Sequence, residues 1–462
     1  MQFSLIKYFQ LKYKKSKLKK LISKKDCFIF DVNHFLQMKY KNSLAFAKQL
    51  DKEDSLAYLR DKFHIPKVKS EVLERTEWLY FTGNSLGLQP KSTKQYIHQE
   101  LEDWANLGVE GHLEARNPWL NYHELLTNKM AKIVGAKPIE VVVMNTLTTN
   151  LHLLMVSFYR PTKIKYKIVI ESDAFPSDRY AVESQLKFHG FSTEDIILWK
   201  PRINEDLLNI EDLETIIETQ GDEIALLLIG GVNYYTGQFL DLKRIAAIGH
   251  SKDCVVGIDL AHGAGNVQPN LHDSNVDFAV WCTYKYLNSG PGSLAGLFVH
   301  EKHSKNKDLP RFAGWWNHNK ETRFNMRQPF DVMEGAEGWQ LSNPPILSMA
   351  AIKASLDLFD EVGMDALREK SGKLTGYFEF LIHEIDSKDI KIITPSNPKE
   401  RGCQISIQVK NADKSLHTKL REQYVITDWR EPNVVRCAPV PMYTSFEDVY
   451  RMVSILKGFL SV

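Results

Sequence analysis

From residue 141 onward, short runs of apolar and β-branched residues alternate with longer amphipathic segments. The runs are almost wholly apolar, which is typical of parallel strands buried on both faces. The longer segments place apolar residues three or four apart, which indicates helices packed on a sheet. The predicted strands are 141–144, 167–170, 196–198, 225–229, 255–258, 278–281 and 297–300, and helices 151–159, 179–188, 210–219 and 242–251 lie between most of them. This alternation predicts an α/β fold with a mostly parallel seven-stranded sheet.

The pattern differs on both sides of this region. Helical periodicity covers residues 43–59 and 92–107, with a turn-rich loop at 83–87 between them. After a double proline, two helical segments, three strand-like runs and a last helix indicate a smaller α+β domain. Those predicted elements are helices 346–359, 367–385 and 446–460 and strands 390–393, 404–409 and 434–436. We therefore predict four segments, namely an extension (1–42), a helical segment with a loop (43–90), a large domain (91–343) and a small C-terminal domain (344–462).

Composition excludes several classes of protein. The chain has 462 residues, 43% of them hydrophobic and 25% charged, as in ordinary globular proteins. Its net charge of +2 gives no reason to expect a nucleic-acid partner. Five cysteines without a CxxC motif argue against a disulfide framework or a metal site and suit a reducing compartment. No apolar run reaches the roughly 18 residues of a membrane span. Without a persuasive targeting signal, the cytoplasm is the expected location.

The first 25 residues contain nine lysines and no acidic residue. One interpretation is an arm for targeting, for a membrane surface or for nucleic acid. The other is a solvated helix or a disordered extension, which the usual behaviour of charge runs favours. The segment has no arginine and little serine, unlike a mitochondrial presequence.

Lys285 stands between two tyrosines just after the predicted strand 278–281, and Asp259 ends the strand 255–258. A lysine in this position is more often a surface residue, but the carboxyl ends of parallel strands meet at one edge of a sheet. Lys285 lies 26 positions after Asp259, a spacing that allows one more strand between them. Both side chains can therefore reach one ring. This pair predicts a site for pyridoxal phosphate (PLP), in which the lysine forms a Schiff base and the carboxylate keeps the pyridine nitrogen protonated.

Three further segments fit the same cofactor. The hydroxyl-rich residues 146–150 open a predicted helix, whose N-terminus can bind a phosphate. Phe175 is placed to stack on an aromatic ring, and Asp178 to supply a second acceptor near the pyridine nitrogen. His262 is a candidate partner of the phosphate or the ring oxygen. Each of these residues alone also has an ordinary structural explanation as a cap or turn residue.

Six short motifs, in the same order along the chain, resemble kynureninases. They occupy residues 81–90, 175–178, 232–238, 259–262, 284–288 and 342–345. That family belongs to the fold-type-I PLP-dependent enzymes, in the branch of the class-V aminotransferases. The resemblance runs from about residue 51 to the C-terminus and leaves out the basic N-terminus. It implies a PLP-binding large domain and a substrate loop within 43–90.

The resemblance also implies roles for individual residues. Lys285 and Tyr284 would be catalytic and would also contact PLP. The other cofactor-binding residues would be Leu147, Thr148, Phe175, Pro176, Ser177, Asp178, Gly230, Asp259, His262, Trp315 and Asn343, and the substrate would be bound by Ser85, His112, Asn343 and Arg436. Trp315 would come from a partner subunit, which implies a homodimer with shared active sites. Gly230 departs from the family, since relatives often carry a small hydroxyl residue there.

The implied reaction is hydrolysis of L-kynurenine or L-3-hydroxykynurenine to anthranilate or 3-hydroxyanthranilate and L-alanine. This reaction belongs to tryptophan catabolism through the kynurenine pathway and to NAD biosynthesis. One alternative is a cysteine desulfurase or selenocysteine lyase on the same fold, with Cys403 as the reactive thiol. Because Cys403 directly precedes the predicted strand 404–409, a buried structural cysteine is favoured. Another alternative is a non-catalytic protein that has kept the PLP fold as a binding module.

Overall fold

The structure is a computed structural model that describes residues 40–69, 75–326 and 329–460. The lysine-rich part of the predicted N-terminal extension lies outside the described residues. The strands are β1 (Phe63–His64), β2 (Leu79–Tyr80), β3 (Gln89–Pro90), β4 (Val141–Met144), β5 (Lys167–Glu171), β6 (Ile196–Trp199), β7 (Ile224–Gly230), β8 (Val255–Asp259), β9 (Phe278–Cys282), β10 (Ala295–Val299), β11 (Ile390–Ile392), β12 (Ile405–Val409), β13 (Val425–Ile426), β14 (Asp428–Arg430) and β15 (Val434–Cys437).

Helices cover this framework on several sides. The longer ones are α1 (Leu44–Glu53), α2 (Thr93–Leu107), α3 (Glu124–Val134), α4 (Leu147–Phe158), α5 (Pro176–Phe188), α6 (Ile210–Gln220), α7 (Leu242–His250), α8 (Ile346–Val362), α9 (Met364–His383), α10 (Lys414–Glu422) and α11 (Phe446–Leu460). Four-residue helices occur at Gly111–Glu114, Leu271–Ser274 and Glu301–Ser304. In the part of the chain that the structure describes, no helix combines the length and apolar character needed to cross a bilayer.

The central sheet has seven strands in the order β4-β10-β9-β8-β7-β5-β6. Strand β10 runs antiparallel to both β4 and β9, and the remaining neighbours pair in parallel. Crossover helices connect β4 to β5, β6 to β7 and β7 to β8, whereas β9 and β10 are joined by the loop 283–294 without a helix. Antiparallel neighbours can be joined directly in this way, whereas parallel strands usually need a crossover helix. The predicted α/β fold with a mostly parallel sheet is confirmed.

The sheet is buried on both faces, as its apolar strands predict. In β4, Val141 and Val143 join one apolar cluster, and Val142 and Met144 join a second cluster on the opposite face. The alternation follows from the two-residue period of a strand. Because β5, β7 and β8 run in parallel, their carboxyl ends meet at one edge of the sheet. Helices α4 and α5 begin at this edge.

The C-terminal region forms an antiparallel sheet in the order β11-β12-β15-β14. Strand β2 near the N-terminal side pairs in parallel with β13 of this region. Residues 42–462 form one structural unit. The division of this unit at residues 90 and 343 stays a prediction.

Candidate active site

A cleft opens at the carboxyl ends of β5, β7 and β8 and at the loop that follows β9. It is lined by Leu147, Thr148, Ile170, Glu171, Asp173, Ala174, Phe175, Ser177, Asp178, Leu228, Gly230, Val232, Asn233, Tyr234, Asp259, Ala261, His262, Cys282, Tyr284 and Lys285. The structure thus brings ten of the residues predicted for the cofactor into one cleft.

Lys285 lies in the loop between β9 and β10 and reaches into the cleft. Its Nζ is 3.1 Å from His262 Nε2 and 5.8 Å from the centre of the Phe175 ring. The loop is held by the N–H group of Gly87, which donates to the carbonyl of Tyr284 at 2.8 Å. A side chain at position 87 would overlap the carbonyl of Lys285, so glycine permits this approach. The turn at 83–87 therefore fixes the backbone that carries the lysine.

Asp259 and Asp178 form a buried carboxyl pair in the same cleft. Asp259 ends β8 and accepts a hydrogen bond from the N–H group of Ala261 at 2.5 Å. Burial raises the pKa of both groups, and the adjacent negative charge of Asp259 raises the pKa of Asp178 further. The hydrogen bond between them lowers the pKa of Asp259. The two shifts thus favour Asp178 as the protonated member of the pair and Asp259 as the ionised one.

The opposite end of the cleft suits an anion. Thr148 Oγ1 and Ser177 Oγ are 2.8 Å apart, and each belongs to the first turn of its helix, α4 or α5. The first N–H groups of a helix have no partner within the helix, and the helix dipole places positive charge there. Two such termini facing one cleft can hold a phosphate group.

His262 supplies a neutral imidazole beside Lys285. Burial lowers its pKa, and the positive charge of Lys285 lowers the pKa further. Its Nδ1 is buried and finds no hydrogen-bond partner among the described residues. A buried nitrogen of this kind calls for a polar group supplied by a bound molecule or by water.

These residues fit PLP. An amine for the aldehyde, a carboxylate for the ring nitrogen, the Phe175 ring for stacking and two helix termini for the phosphate share one cleft. The ring of Phe175 packs edge to face against the ring of Tyr234, with 5.4 Å between the ring centres, and this contact helps to fix its position. The individual roles stay predictions.

Six predicted residues are not among those that line the cleft within one chain. They are Ser85, His112, Pro176, Trp315, Asn343 and Arg436. Ser85, His112 and Asn343 are exposed. Trp315 is 43% exposed, with its Nε1 donating to the carbonyl of Arg323 at 3.0 Å.

Arg436 lies behind the cleft wall and is only 1% exposed. It forms an ion pair with Asp428, and its Nη1 donates to the carbonyl of Tyr234 at 2.5 Å. Its Nε has no partner in the described parts of the chain. Burial lowers the pKa of Arg436, and the charge of Asp428 opposes that shift. The guanidinium thus retains an N–H donor without a partner, next to Tyr234, which lines the cleft.

Ten lining residues were not predicted, and Glu171, Asp173, Asn233 and Tyr234 are polar members of this set. Glu171 directly follows the predicted strand 167–170, so the strand-end rule that identified Asp259 would have found it too. Asn233 and Tyr234 lie in the motif 232–238. Asn233 turns toward the β5 end, since its Nδ2 donates to Asp173 at 3.1 Å.

Cys403 does not have the properties of a desulfurase thiol. Burial raises its pKa to about 12, and its N–H group donates to Asn266 Oδ1 at 2.8 Å. A reactive cysteine is accessible and has a lowered pKa. The structure therefore favours the structural interpretation of Cys403.

Comparison with known proteins identifies one family. The model of the kynureninase C-terminal domain matches residues 367–456. A kynureninase from Myxococcus xanthus is 54% identical, covering 91% of this chain and 98% of the relative. A kynureninase from Mus musculus is 46% identical, covering 90% and 92%. The solved structure of an Escherichia coli cysteine desulfurase covers 88% of this chain and 98% of its own with a TM-score of 0.71, but at 15% identity it shares the fold alone. The chain belongs to the kynureninase family.

Proposed function

We propose that this chain is a PLP-dependent hydrolase that cleaves L-kynurenine, L-3-hydroxykynurenine or both. The products are anthranilate or 3-hydroxyanthranilate, together with L-alanine. Membership of the kynureninase family supports this reaction. The observation that carries it is Lys285 in one cleft with the buried Asp259–Asp178 pair.

Bound PLP supplies an aldehyde that captures an amine and a ring that accepts electrons from the neighbouring carbon. Lys285 Nζ would hold the cofactor through its aldehyde, and its amine would serve as the group that takes and returns protons at the reacting carbons. Neutral His262, 3.1 Å from Lys285 Nζ, orients this amine. Asp259 keeps the ring nitrogen protonated, and Asp178 keeps Asp259 ionised by donating a hydrogen bond to it.

The other predicted cleft residues contact the phosphate or the ring of the cofactor. Leu147 and Thr148 offer the N-terminus of α4 to the phosphate, and Ser177 adds a hydroxyl from α5. Tyr284 adds a phenol and is the proposed second catalytic group. Phe175 stacks on the ring. The pKa of Tyr284 is raised by burial, so the phenol keeps its proton and can donate it.

Arg436 binds the substrate carboxylate. Its unpartnered Nε and its planar guanidinium suit a two-point contact with a carboxylate. Ser85, His112 and Asn343 shape the end of the pocket that receives the aromatic ring. We place the enzyme in the cytoplasm and in the kynurenine pathway of tryptophan catabolism, which leads to NAD.

The enzyme acts as a homodimer whose subunits share their active sites. Trp315 completes the phosphate site of the neighbouring subunit. In support, the indole is 43% exposed, and Phe312 and Phe324 near it along the chain are 56% and 54% exposed. Exposed aromatic residues in one region favour a protein interface.

The function is tested with purified, PLP-loaded protein given L-kynurenine and L-3-hydroxykynurenine separately. Anthranilate or 3-hydroxyanthranilate is followed, and alanine is quantified in equal amount. Product from either substrate supports the hydrolase, and the ratio of the two kcat/KM values gives the preferred substrate. Folded, PLP-loaded protein that forms neither product contradicts the proposal, and release of sulfide from cysteine would then favour a desulfurase.

A further inference from the structure

Glu171 is a buried carboxyl group of the cleft that the mechanism above does not use. It is the last residue of β5 and is 4% exposed. On the adjacent strand β7, the last residue is Gly230, which pairs with Asp259 of β8. Glu171, Gly230 and Asp259 therefore stand side by side at the carboxyl edge of the sheet.

Gly230 provides the space in which the Glu171 carboxyl lies. The N–H group of Gly230 donates to Glu171 Oε1 at 2.6 Å. A Cβ atom at position 230 would be 2.8 Å from the same oxygen, which is too close for an unstrained contact. Glycine thus lets the carboxyl lie over the end of β7, whereas a side chain there would displace it.

Several titratable groups lie around Glu171 in the cleft. Asp173 follows it in the chain, Asp178 approaches from α5, and Asp259 stands on β8. The cations on this side are Lys285 and, when protonated, His262. Burial raises the pKa of Glu171 to about 8, with added repulsion from Asp173 and Asp259. Glu171 therefore holds a proton at neutral pH and releases it in mildly alkaline solution.

We propose that Glu171 is a positioning residue of the cofactor site. A hydrogen bond from the Gly230 amide holds its carboxyl beside the Asp259–Asp178 pair. From this position, the charge of Glu171 influences the protonation of the cofactor that the pair holds. The inference rests on the proposed function, since it needs bound PLP. A neutral Glu171 adds no charge, whereas an ionised Glu171 adds a negative charge that favours protonated groups nearby.

The test is the substitution Glu171→Gln. Glutamine keeps an oxygen that can accept from Gly230 and stays neutral at every pH. With PLP bound and no substrate, the visible absorbance of the cofactor is titrated between about pH 6 and pH 10. Because Glu171 carries a negative charge only in mildly alkaline solution, we expect the two titration curves to coincide near neutral pH and to separate above about pH 8. There the variant should lose the protonated cofactor at a pH lower by up to about one unit, because it lacks the negative charge that stabilises this form.

The matched control is Glu183→Gln, which makes the same exchange on α5, where Glu183 pairs with Arg179 outside the cleft. It should titrate like the wild type. A Glu171→Gln variant that also titrates like the wild type overturns the inference and leaves the proposed function intact. If the wild type shows no Lys285-dependent absorbance band, the cofactor assignment itself fails.

A second measurement applies if Glu171→Gln does not fold or does not bind PLP. The wild-type protein is labelled with ¹³C at glutamate carboxyl groups and titrated by NMR. A glutamate that titrates near pH 8, as burial predicts for Glu171, supports the inference. Glutamates that all titrate in the ordinary range near pH 4 contradict it.

Discussion

Arg436 is held by its neighbours before any substrate arrives. Its ion pair with Asp428 and its bond to the Tyr234 carbonyl fix the plane of the guanidinium. Lysine at this position would keep the charge but lose the planar fork. We expect Arg436→Lys to lower kcat/KM roughly ten- to hundredfold, mainly through a higher KM. This factor corresponds to a loss of about 1.5–3 kcal/mol of binding free energy.

Steady-state kinetics on kynurenine checks this prediction. Arg430→Lys is the matched control, because Arg430 also pairs with Asp428, at 3.1 Å, but is more exposed. It should change kcat/KM less than Arg436→Lys does. An Arg436→Lys variant with wild-type KM would show that the substrate carboxylate binds elsewhere.

Single residues differ in how well the sequence predicted them. Lys285, Asp259 and Asp178 follow from chain position, since strand ends and helix starts meet at one sheet edge. The pairing of Arg436 with Asp428 does not, because it depends on the antiparallel register of β14 and β15. The raised pKa of Glu171 could not be predicted from the sequence either, since it depends on burial and on the charges of Asp173 and Asp259.

Strand β10 is inserted antiparallel between β4 and β9, and one glycine makes its fit possible. Gly296 lies opposite Trp281 of β9, and a Cβ atom there would overlap the buried indole. We expect Gly296→Ala to reduce the free energy of unfolding by about 1–3 kcal/mol, the usual cost of overpacking a core. Denaturant unfolding of the PLP-free protein measures the change.

Gly458→Ala on α11 is the control for this substitution. A Cβ atom at Gly458 would meet no atom within 4 Å. Alanine favours a helix over glycine by about 1 kcal/mol, so this variant should be as stable as the wild type or slightly more stable. Equal stability of Gly296→Ala and the wild type would contradict the proposed crowding.

Asp277 joins several elements beside β9. Its buried carboxylate accepts from His250, His303 and Lys302 and from the N–H group of Val256. Burial raises its pKa, but these bonds have the larger combined effect and hold the pKa well below 3.8. A carboxyl with a lowered pKa stabilises the fold above its unfolded pKa, and the effect is lost as the pH falls below that value.

We therefore expect Asp277→Asn to destabilise the protein by roughly 3 kcal/mol at pH 7, because it removes the buried carboxylate that pairs with Lys302. The difference from the wild type should shrink as the pH falls below about 4. Unfolding free energies at several pH values test both statements. Asp206→Asn, which breaks a surface pair with Lys391, should show little effect at any pH. A difference for Asp277→Asn that is independent of pH would contradict the charge argument.

Elements were predicted best where the apolar pattern alone decides them. Strands β4 to β9 agree with the sequence to within one residue at each end. The direction of β10 was not predicted, since a short apolar run is the same in either direction. The predicted helix 43–59 ends at Glu53, because Asp54 instead caps the next turn and pairs with Lys370 at 2.7 Å. A contact with a residue so distant in the chain cannot be seen in local periodicity.

At the scale of the whole molecule, the cleft of one chain is lined by some of the residues predicted for the site but not by all of them. Lys285, Asp259 and Phe175 line the cleft, whereas Trp315 and Asn343 are not among its lining residues. The family resemblance implies that Trp315 serves the site of a partner subunit, but the sequence pattern by itself does not show this. The shared active site is thus a proposal about the assembly that needs a test on mixed subunits.

Mixed dimers provide that test. Lys285→Ala removes the cofactor amine in one subunit, and Trp315→Ala removes the proposed contribution to the other subunit's site. We expect each variant alone to have little activity. In a mixed dimer, one site has both faults and the other has neither. Random mixing makes half of the dimers mixed, so activity should recover to roughly one quarter of the wild type.

The control mixes Lys285→Ala with Asp259→Asn. Both residues line the same cleft within one chain, so every site of that mixed dimer lacks one of them and no activity should return. Subunit exchange is verified by mass spectrometry of differently tagged chains. Recovery with Trp315→Ala but not with Asp259→Asn assigns the indole to the opposite subunit's site. If exchanged dimers recover no activity in either mixture, or if Trp315→Ala alone is fully active, Trp315 does not act across the interface and the shared site is refuted.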